Sequence, residues 1–365
     1  MPATATRPRR SRTGLVFFLC VLALAAWEIV GRVSATGLVT PLKFARGAWA
    51  VASGGSVAGA DAPSDEEMAK MAYRPLPYVM YGLKPSWERL GKQRRTTNSL
   101  GFRGPEIQQP KPAGRYRIVC IGGSTTYDDN VDDDQAYPLR LQEFLRKARP
   151  DLDIEVVNAG VPSYTTAENL ANLSLRVLDL QPDAIVLYEG INDWRPRTYP
   201  NFDSAYFHFR KVWDGSSAHY EPGPPGTEMA AGINPLIQYN NQPDQDTAAN
   251  ARAAGHAAFE RNLVSMAGIA KAHGVAVVMV SNTVDEANPY SQQGGFLAGI
   301  REHNEVIRKV CAEQGALFVD LDAKFPKGDA LPPGGLFADP VHNNPAGSEI
   351  KARIIADGLL AGLLH

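Results

Sequence analysis

Four short motifs, far apart along the chain, carry side chains that together could perform nucleophilic chemistry at an acyl carbon. They are Gly122-Gly123-Ser124-Thr125, Asn158-Ala159-Gly160, Gly190-Ile191-Asn192-Asp193 and Asp339-Pro340-Val341-His342. A serine hydroxyl becomes a useful nucleophile when a base takes its proton, a third group orients that base, and hydrogen-bond donors receive the oxyanion. The motifs supply a candidate for each of these roles.

Ser124 is the candidate nucleophile, because two glycines precede it and let the backbone approach an acyl carbon closely. Taken alone, such a serine is more often a turn or helix-capping residue. The strand-turn-helix elbow of α/β-hydrolases requires glycine two residues after the nucleophile, and this chain has Thr126 there. That fold is therefore disfavoured.

His342 is the candidate base, and Asp339, three residues earlier, is the candidate group that orients it. An isolated Asp-x-x-His pair can also be a capping loop or a fragment of a metal site. Histidines that are scattered singly along the chain include His208, His219, His256, His273 and His303. No histidine or cysteine lies at metal-ligand spacing from His342, so we expect neither a metal nor a cofactor.

The order of the four motifs resembles that of the SGNH (GDSL-type) hydrolase superfamily, whose blocks contribute Ser, Gly, Asn and His. The resemblance runs from about Arg115 to the end of the chain. Gly123 stands where many members carry Asp, and Asn343 where related bacterial sequences often have an apolar residue. Residues 98–104 (NSLGFRG) also resemble a segment found upstream of the first block in some bacterial members. We assign that segment no mechanistic role from sequence.

The resemblance implies an oxyanion hole made by the Gly160 backbone N–H, the Asn192 side-chain amide and the Ser124 backbone N–H. Alternatively, Gly160 could be an ordinary turn glycine and Asn192 an Asx-turn residue. The resemblance also implies a catalytic triad of Ser124, His342 and Asp339 in an enzyme that acts on ester bonds.

From residue 115 onward, short apolar runs alternate with amphipathic segments, which is the pattern of βαβ units. The predicted strands are 117–121, 154–157, 184–188, 275–281 and 317–321. We therefore predict an α/β fold with three α/β/α layers and a five-stranded parallel sheet, as in flavodoxin-like SGNH hydrolases. Three of the motifs directly follow a predicted strand, where open parallel sheets hold their ligands. Asn344 and Pro345 predict the cap and first turn of a final helix.

The N-terminus has the features of an export signal. Basic residues at 7–12 precede the uncharged run 14–27, and a polar stretch follows. Residues 1–35 are predicted to be a signal peptide or a signal anchor, with residues 14–31 in the membrane if they are not cleaved. Residues 36–114 are predicted to be a linker and an irregular arm, because glycine and proline interrupt every periodic pattern. The hydrolase domain at 115–365 is then extracytoplasmic, either periplasmic or at the cell surface.

Composition excludes some classes of partner. The chain has 365 residues, of which 44% are hydrophobic and 21% charged, and a formal net charge of -2. Basic residues cluster only at the N-terminus, so we expect no nucleic-acid partner. Cys120 is predicted to pack in a buried strand and Cys311 on a helix face, with no disulfide framework. Nothing in the sequence sets the oligomeric state.

Residues 194–250 form a long insertion rich in proline, glycine and aromatic side chains, directly after the Asn192 motif. It is predicted to be either a substrate wall or lid, or a packed excursion without such a role. Our first functional hypothesis is a serine esterase that cleaves a short acyl ester or an O-acetyl group on a glycan. The alternatives are an O-acyltransferase to a sugar hydroxyl and a non-catalytic surface binding module.

Overall fold

A five-stranded parallel sheet forms the centre of the computed structural model, which describes residues 72–76, 78–89, 93–210 and 246–364. All of these residues belong to one compact unit. The strands, in chain order, are β1 (Tyr73–Leu76), β2 (Met80–Leu83), β3 (Glu88–Arg89), β4 (Arg95–Thr96), β5 (Arg115–Gly122), β6 (Asp153–Asn158), β7 (Ala184–Tyr188), β8 (Ala276–Val280) and β9 (Leu317–Val319).

The main sheet has the strand order β6-β5-β7-β8-β9, and every neighbouring pair in it is parallel. Its strands are apolar on both faces, as expected for a parallel sheet covered on both sides. In β5, Ile118 and Cys120 face one core cluster, whereas Val119 and Ile121 face the other. The predicted α/β fold with three layers and five parallel strands is confirmed.

Helices cover both faces of this sheet. In chain order they are α1 (Ser124–Tyr127), α2 (Tyr137–Ala148), α3 (Thr166–Asn172), α4 (Trp194–Arg197), α5 (Thr247–Ala254), α6 (Ala257–Ala272), α7 (Phe296–Gln314), α8 (Leu321–Lys324) and α9 (Pro345–Gly362). A π-helical turn (Leu173–Val177) continues α3, and 3₁₀ turns lie at Asp133–Gln135, Leu178–Leu180 and Gly328–Ala330. Helices α2 and α9 pack on one face of the sheet, and α6 and α7 on the other.

The predicted strands all occur, with small differences at their ends. The last predicted strand extended to residue 321, but β9 ends at Val319 because the Asp320 side chain accepts from the Ala323 N–H and begins α8. Helix α9 begins as predicted: Pro345 is its first residue, and the Asn344 side chain accepts from the Gly347 N–H at 3.0 Å. Cys120 and Cys311 are buried free thiols, as predicted.

The segment that precedes the main sheet is more regular than predicted. Residues 73–96 contain two antiparallel hairpins, β1–β2 and β3–β4. The prolines that interrupt the sequence pattern concealed them. Tyr81 is fully buried and packs with Tyr127, Val161 and Tyr164, so the first hairpin contacts the short helix that follows β5 and the loop that follows β6.

Among the described residues, no helix is both long enough and apolar enough to span a membrane. The predicted signal or anchor at 1–35, the linker to residue 71 and residues 211–245 of the insertion lie outside the described residues.

Candidate active site

Ser124 lies where β5 ends and the chain turns into the short helix α1. The two preceding glycines are required by close contacts. A Cβ on Gly122 would lie 2.5 Å from the Tyr188 carbonyl oxygen, and a Cβ on Gly123 would lie 2.4 Å from Asn192 Nδ2. The turn that presents the Ser124 hydroxyl therefore has no room for larger residues.

The structure brings Ser124, His342 and Asp339 together although 215 or more residues separate the first from the other two. Ser124 Oγ lies 2.7 Å from His342 Nε2. His342 Nδ1 lies 2.7 Å from Asp339 Oδ2. The side chains of His342 and Asp339 are 19% and 23% exposed, so solvent and small molecules can reach the pair.

The Asp339 carboxylate is held on both of its oxygens. Oδ1 accepts from the backbone N–H groups of Val341 at 3.0 Å and His342 at 2.9 Å. Burial by itself raises the pKa of Asp339, but hydrogen bonding and Coulombic attraction to His342, together with these backbone donors, lower it to about 2. An ionised carboxylate can only accept hydrogen bonds, so His342 Nδ1 carries the hydrogen and Nε2 of the neutral ring accepts from the Ser124 hydroxyl.

Asn192 lies on the turn after β7. Because β5 and β7 are parallel neighbours, this turn is at the same edge of the sheet as Ser124. Asn192 Nδ2 donates to the Tyr164 carbonyl oxygen at 2.8 Å and lies against the position of Gly123. A primary amide carries two hydrogens. One of them is used by Tyr164, which fixes the orientation of the amide, and the other can be donated to an oxyanion beside Ser124.

Gly160 has a different environment from the one that its predicted role requires. Its N–H donates to Asn158 Oδ1 at 3.0 Å, so in this structure its hydrogen is used within its own loop. A Cβ at this position would lie 2.2 Å from the Tyr127 backbone nitrogen, which explains why the position holds glycine. The geometry thus gives Gly160 a packing role against the nucleophile turn. Donation to an oxyanion would require the bond to Asn158 to be shared or broken, and that role stays a prediction.

A buried lysine that the sequence analysis did not identify joins the nucleophile turn to α9. Lys351 Nζ donates to the Thr125 carbonyl oxygen at 2.9 Å and lies 3.3 Å from Asp128 Oδ1. Both side chains of this ion pair are almost completely buried. Because α9 begins directly after the His342 loop, this contact connects the elements that carry the hydroxyl and the imidazole.

The carboxylate of Asp193 connects the Asn192 turn to two other elements. It accepts from the Thr166 N–H at 3.1 Å, at the start of α3, and from the Tyr206 hydroxyl at 3.0 Å, within the insertion. Burial raises the pKa of Asp193 to about 6, although the hydrogen bonds from Thr166 and Tyr206 oppose the rise. The described beginning of the insertion is therefore packed against the site.

A buried histidine supports the same turn from α7. His303 Nδ1 lies 2.8 Å from the Gly190 carbonyl oxygen, and its Nε2 lies 2.8 Å from an Arg197 nitrogen. Burial, followed by the charge of Arg197, lowers the pKa of His303 to about 3. The neutral ring thus donates from Nδ1 to Gly190 and accepts at Nε2, which is a structural role and not an acid–base one.

Within the described ranges, no group of three or more His, Cys, Asp or Glu side chains is arranged to hold a metal ion. The expectation that the chemistry needs no metal and no cofactor stays a prediction.

Comparison with known proteins identifies the family of this chain. The family model for the GDSL-like lipase/acylhydrolase family matches residues 120–350. The chain therefore belongs to this family, and it is an ester-hydrolysing enzyme. The predicted membership of the SGNH (GDSL-type) superfamily is confirmed. A search of curated proteins finds no match.

Several solved structures are similar to this chain. An acetylxylan esterase from Geobacillus stearothermophilus, Axe2, is 20% identical, with a TM-score of 0.45 over 67% of this chain and 94% of its own. LAE5, an alpha/beta hydrolase enzyme from the metagenome of Lake Arreo, is 18% identical, with a TM-score of 0.45 and the same coverages, 67% and 94%. A putative lipolytic protein of the G-D-S-L family from Desulfitobacterium hafniense is 15% identical, with a TM-score of 0.43 over 67% of this chain and 99% of its own.

Proposed function

We propose that this enzyme cleaves a carboxylic ester through an acyl intermediate on Ser124, with His342 as general base and acid and Asp339 as the group that orients His342. The observation that carries the proposal is the continuous hydrogen-bonded series from Ser124 Oγ to His342 Nε2 and from His342 Nδ1 to Asp339, with 2.7 Å at each step. These distances are within the range needed for proton transfer from the nucleophile to its base.

In the acylation step, Ser124 Oγ attacks the ester carbon while its proton moves to His342 Nε2. The tetrahedral intermediate collapses when Nε2 returns that proton to the leaving alcohol, and the acyl group stays on Ser124. Water then attacks the acyl-serine, giving up its proton to Nε2, and Ser124 leaves with that proton. Asp339 remains ionised throughout and stabilises the imidazolium, because its pKa of about 2 lies far below neutral pH.

The oxyanion of each tetrahedral intermediate needs donors that are already in position. We propose the Asn192 Nδ2 hydrogen that does not bind Tyr164, together with the Ser124 backbone N–H at the start of α1. The orientation of the Asn192 amide is supported by its 2.8 Å bond to Tyr164 and by its contact with Gly123. Gly160 joins this set only if its N–H leaves Asn158.

The substrate that we propose is a short acyl ester, such as an O-acetyl group on a glycan. Support comes from the partly exposed triad and from the aromatic residues of the insertion, of which Tyr206 donates to Asp193, beside Asn192, at 3.0 Å. Assays with p-nitrophenyl esters of increasing chain length and with acetylated oligosaccharides test this substrate class, and preference for long acyl chains would contradict it.

We also propose that the enzyme acts outside the cytoplasm, because its N-terminal residues combine a basic cluster, an apolar run and a polar stretch. Cell fractionation and the mass of the mature N-terminus test this location and separate cleavage from anchoring. Recovery of the uncleaved chain in the cytoplasmic fraction would contradict it.

The test of the mechanism is turnover of p-nitrophenyl acetate by the full chain and by Ser124→Ala. We expect the variant to lose nearly all turnover, whereas the control Ser174→Ala, at an exposed helix position, keeps the wild-type rate. Unchanged turnover in Ser124→Ala would refute the proposal. In the same assay with added sugar alcohols, release of free acid indicates hydrolysis, and an acylated sugar product indicates transfer.

A further inference from the structure

One side chain outside the four motifs contacts the acidic member of the triad. Asn130 Nδ2 lies 3.2 Å from Asp339 Oδ2, the same oxygen that binds His342 Nδ1. Because an ionised carboxylate only accepts, the nitrogen of the Asn130 amide must face Asp339. Among the described donors to this carboxylate, Asn130 is the one from outside the 339–342 loop.

Asn130 lies on the loop that follows the nucleophile helix, and the backbone of this loop is firmly held. We call residues 128–133 the nucleophile-side loop. The fully buried guanidinium of Arg103 donates to the carbonyl oxygens of Asp128 and Val131, at 2.7 Å each, and to Asp133 Oδ1 at 2.8 Å. It also donates to the Tyr127 carbonyl oxygen at 2.6 Å, at the end of α1. Arg103 therefore fixes both the nucleophile helix and the nucleophile-side loop.

Further contacts from residues 94–96 hold the same loop. The Arg94 N–H donates to Asp132 Oδ1 at 2.6 Å, and the Thr96 N–H donates to Asp133 Oδ2 at 2.8 Å. Arg95 donates to the Asp129 carbonyl oxygen at 3.0 Å and also pairs with its carboxylate. Residues on both sides of Asn130 are thus restrained, which limits the positions that its side chain can adopt.

We propose that Asn130 is a positioning residue for the acid–base pair, held in place by Arg103 and its neighbours. The amide fixes the rotation of the Asp339 carboxylate, so that Oδ2 stays in the plane where His342 Nδ1 donates. His342 Nε2 then stays directed at Ser124 Oγ. In this way residues 94–103, which precede the part of the chain matched by the family model, contribute to the geometry of the triad. The proposal rests on the proposed serine mechanism.

The amide also matters because it is neutral. A carboxylate at position 130 would add a negative charge beside Asp339 and favour the protonated form of the His342 ring. The other charged groups on the segments around the pair are Asp128 with Lys351, Asp129 with Arg95, Asp132, Asp133 with Arg103, Asp285, and Glu286 with Arg301 and Lys327. None of these groups changes in the variants that test the proposal.

The test uses the full chain with three substitutions: Asn130→Leu, which keeps the branching at Cγ but is larger and has no donor, Asn130→Asp, which adds a charge, and the control Asp134→Asn at an exposed position of the next turn. For each protein, a fluorophosphonate titration gives the concentration of reactive serine. The kcat and KM values for p-nitrophenyl acetate are then measured from pH 4 to pH 9 and expressed per reactive site.

We expect Asn130→Leu to lower kcat about tenfold with KM within about twofold, since the loss affects orientation and not binding. We expect Asn130→Asp to move the acidic limb of the kcat/KM profile to higher pH by about one unit. The control keeps wild-type values. Unchanged kcat and an unchanged acidic limb in both Asn130 variants would overturn the proposal. A lower kcat in Asn130→Leu without a displaced limb in Asn130→Asp would also overturn it, because it would indicate a structural role alone.

This test is separable from that of the proposed function. If Ser124→Ala keeps wild-type turnover, the serine mechanism itself is wrong. If Ser124→Ala is inactive and the Asn130 variants match the wild type, only the role of Asn130 is wrong.

Discussion

Removing the buried charge of Lys351 should strongly destabilise the protein and misplace its nucleophile turn. Lys351 Nζ is fully buried, donates to the Thr125 carbonyl oxygen at 2.9 Å, and neutralises Asp128 at 3.3 Å. In Lys351→Met the hydrophobic stem is retained but the ammonium is lost. Asp128 then remains as a buried carboxylate whose other contact is the Tyr137 N–H at 2.8 Å.

The magnitude follows from the burial of the pair. Removing one partner of a buried ion pair costs about 3–5 kcal/mol, because the remaining charge stays desolvated without compensation. For a domain of this size, that loss corresponds to a fall in Tm of about 10 °C. The combined variant Asp128→Asn with Lys351→Met removes both charges, and asparagine tolerates the left-handed φ of 68° at position 128. We therefore expect the double variant to lie within about 2 kcal/mol of the wild type.

The assay is urea-induced unfolding followed by tryptophan fluorescence and circular dichroism, for the wild type, each single variant and the double variant. Both single variants should unfold at clearly lower urea concentrations, and the double variant should recover most of the loss. Strictly additive effects of the two substitutions would refute the reasoning, because they would show that the two charges do not depend on each other.

Three further results are expected. Asn192→Ala should lower kcat/KM for p-nitrophenyl acetate about 100- to 1000-fold, equivalent to roughly 3–4 kcal/mol, with little change in Tm; a loss below threefold would contradict its oxyanion role. Gly123→Ala places a methyl group 2.4 Å from Asn192 Nδ2, so it should displace the amide and reduce kcat with intact folding by circular dichroism; wild-type kcat would contradict this. The pKa of Glu189 is raised well above 4.5, first by burial and then by the charges of Asp193 and Glu168. The folded protein therefore binds the Glu189 proton more tightly than the unfolded chain does. The stability that protonated Glu189 contributes below pH 4.5 is lost as the pH rises towards the pKa that Glu189 has in the folded protein. About two pH units above the pKa of Asp193, which is about 6, that group has finished titrating. From there upward, Glu189→Gln should lose less stability with rising pH than the wild type, measured by urea midpoints; parallel curves would contradict this.

Much of the fold could be predicted because parallel strands that are buried on both faces have a simple sequence pattern. The run 118–121 is completely buried, and its apolar residues need no knowledge of their partners to be recognised. The convergence of Ser124, Asn192 and His342 could be predicted for a similar reason. Loops at the carboxyl edge of a parallel sheet meet there whatever their separation along the chain.

The supporting residues could not be predicted, since their roles depend on where individual side chains point across long separations. Lys351 lies on α9, and a lysine on a helix is normally assigned to the solvent face. Arg103 and Asn130 act through acceptors in other segments, and neither contact leaves a periodic signal. The one available indication for Arg103 was the resemblance of residues 98–104 to a segment of related bacterial sequences.

Gly160 illustrates a different limit. The sequence identifies a position where only glycine fits, but it does not show whether the reason is a free N–H or a close backbone contact. The structure gives the second reason, the 2.2 Å approach to Tyr127, and assigns the N–H to Asn158.

The central claim, that the Ser124 hydroxyl is activated by His342, is tested most directly by mapping the adduct of a fluorophosphonate probe on the folded full chain by mass spectrometry. We expect a single adduct on Ser124, formed at a greatly reduced rate in His342→Gln. Labelling of another residue, no labelling of the folded wild type, or an undiminished rate in His342→Gln would contradict the claim.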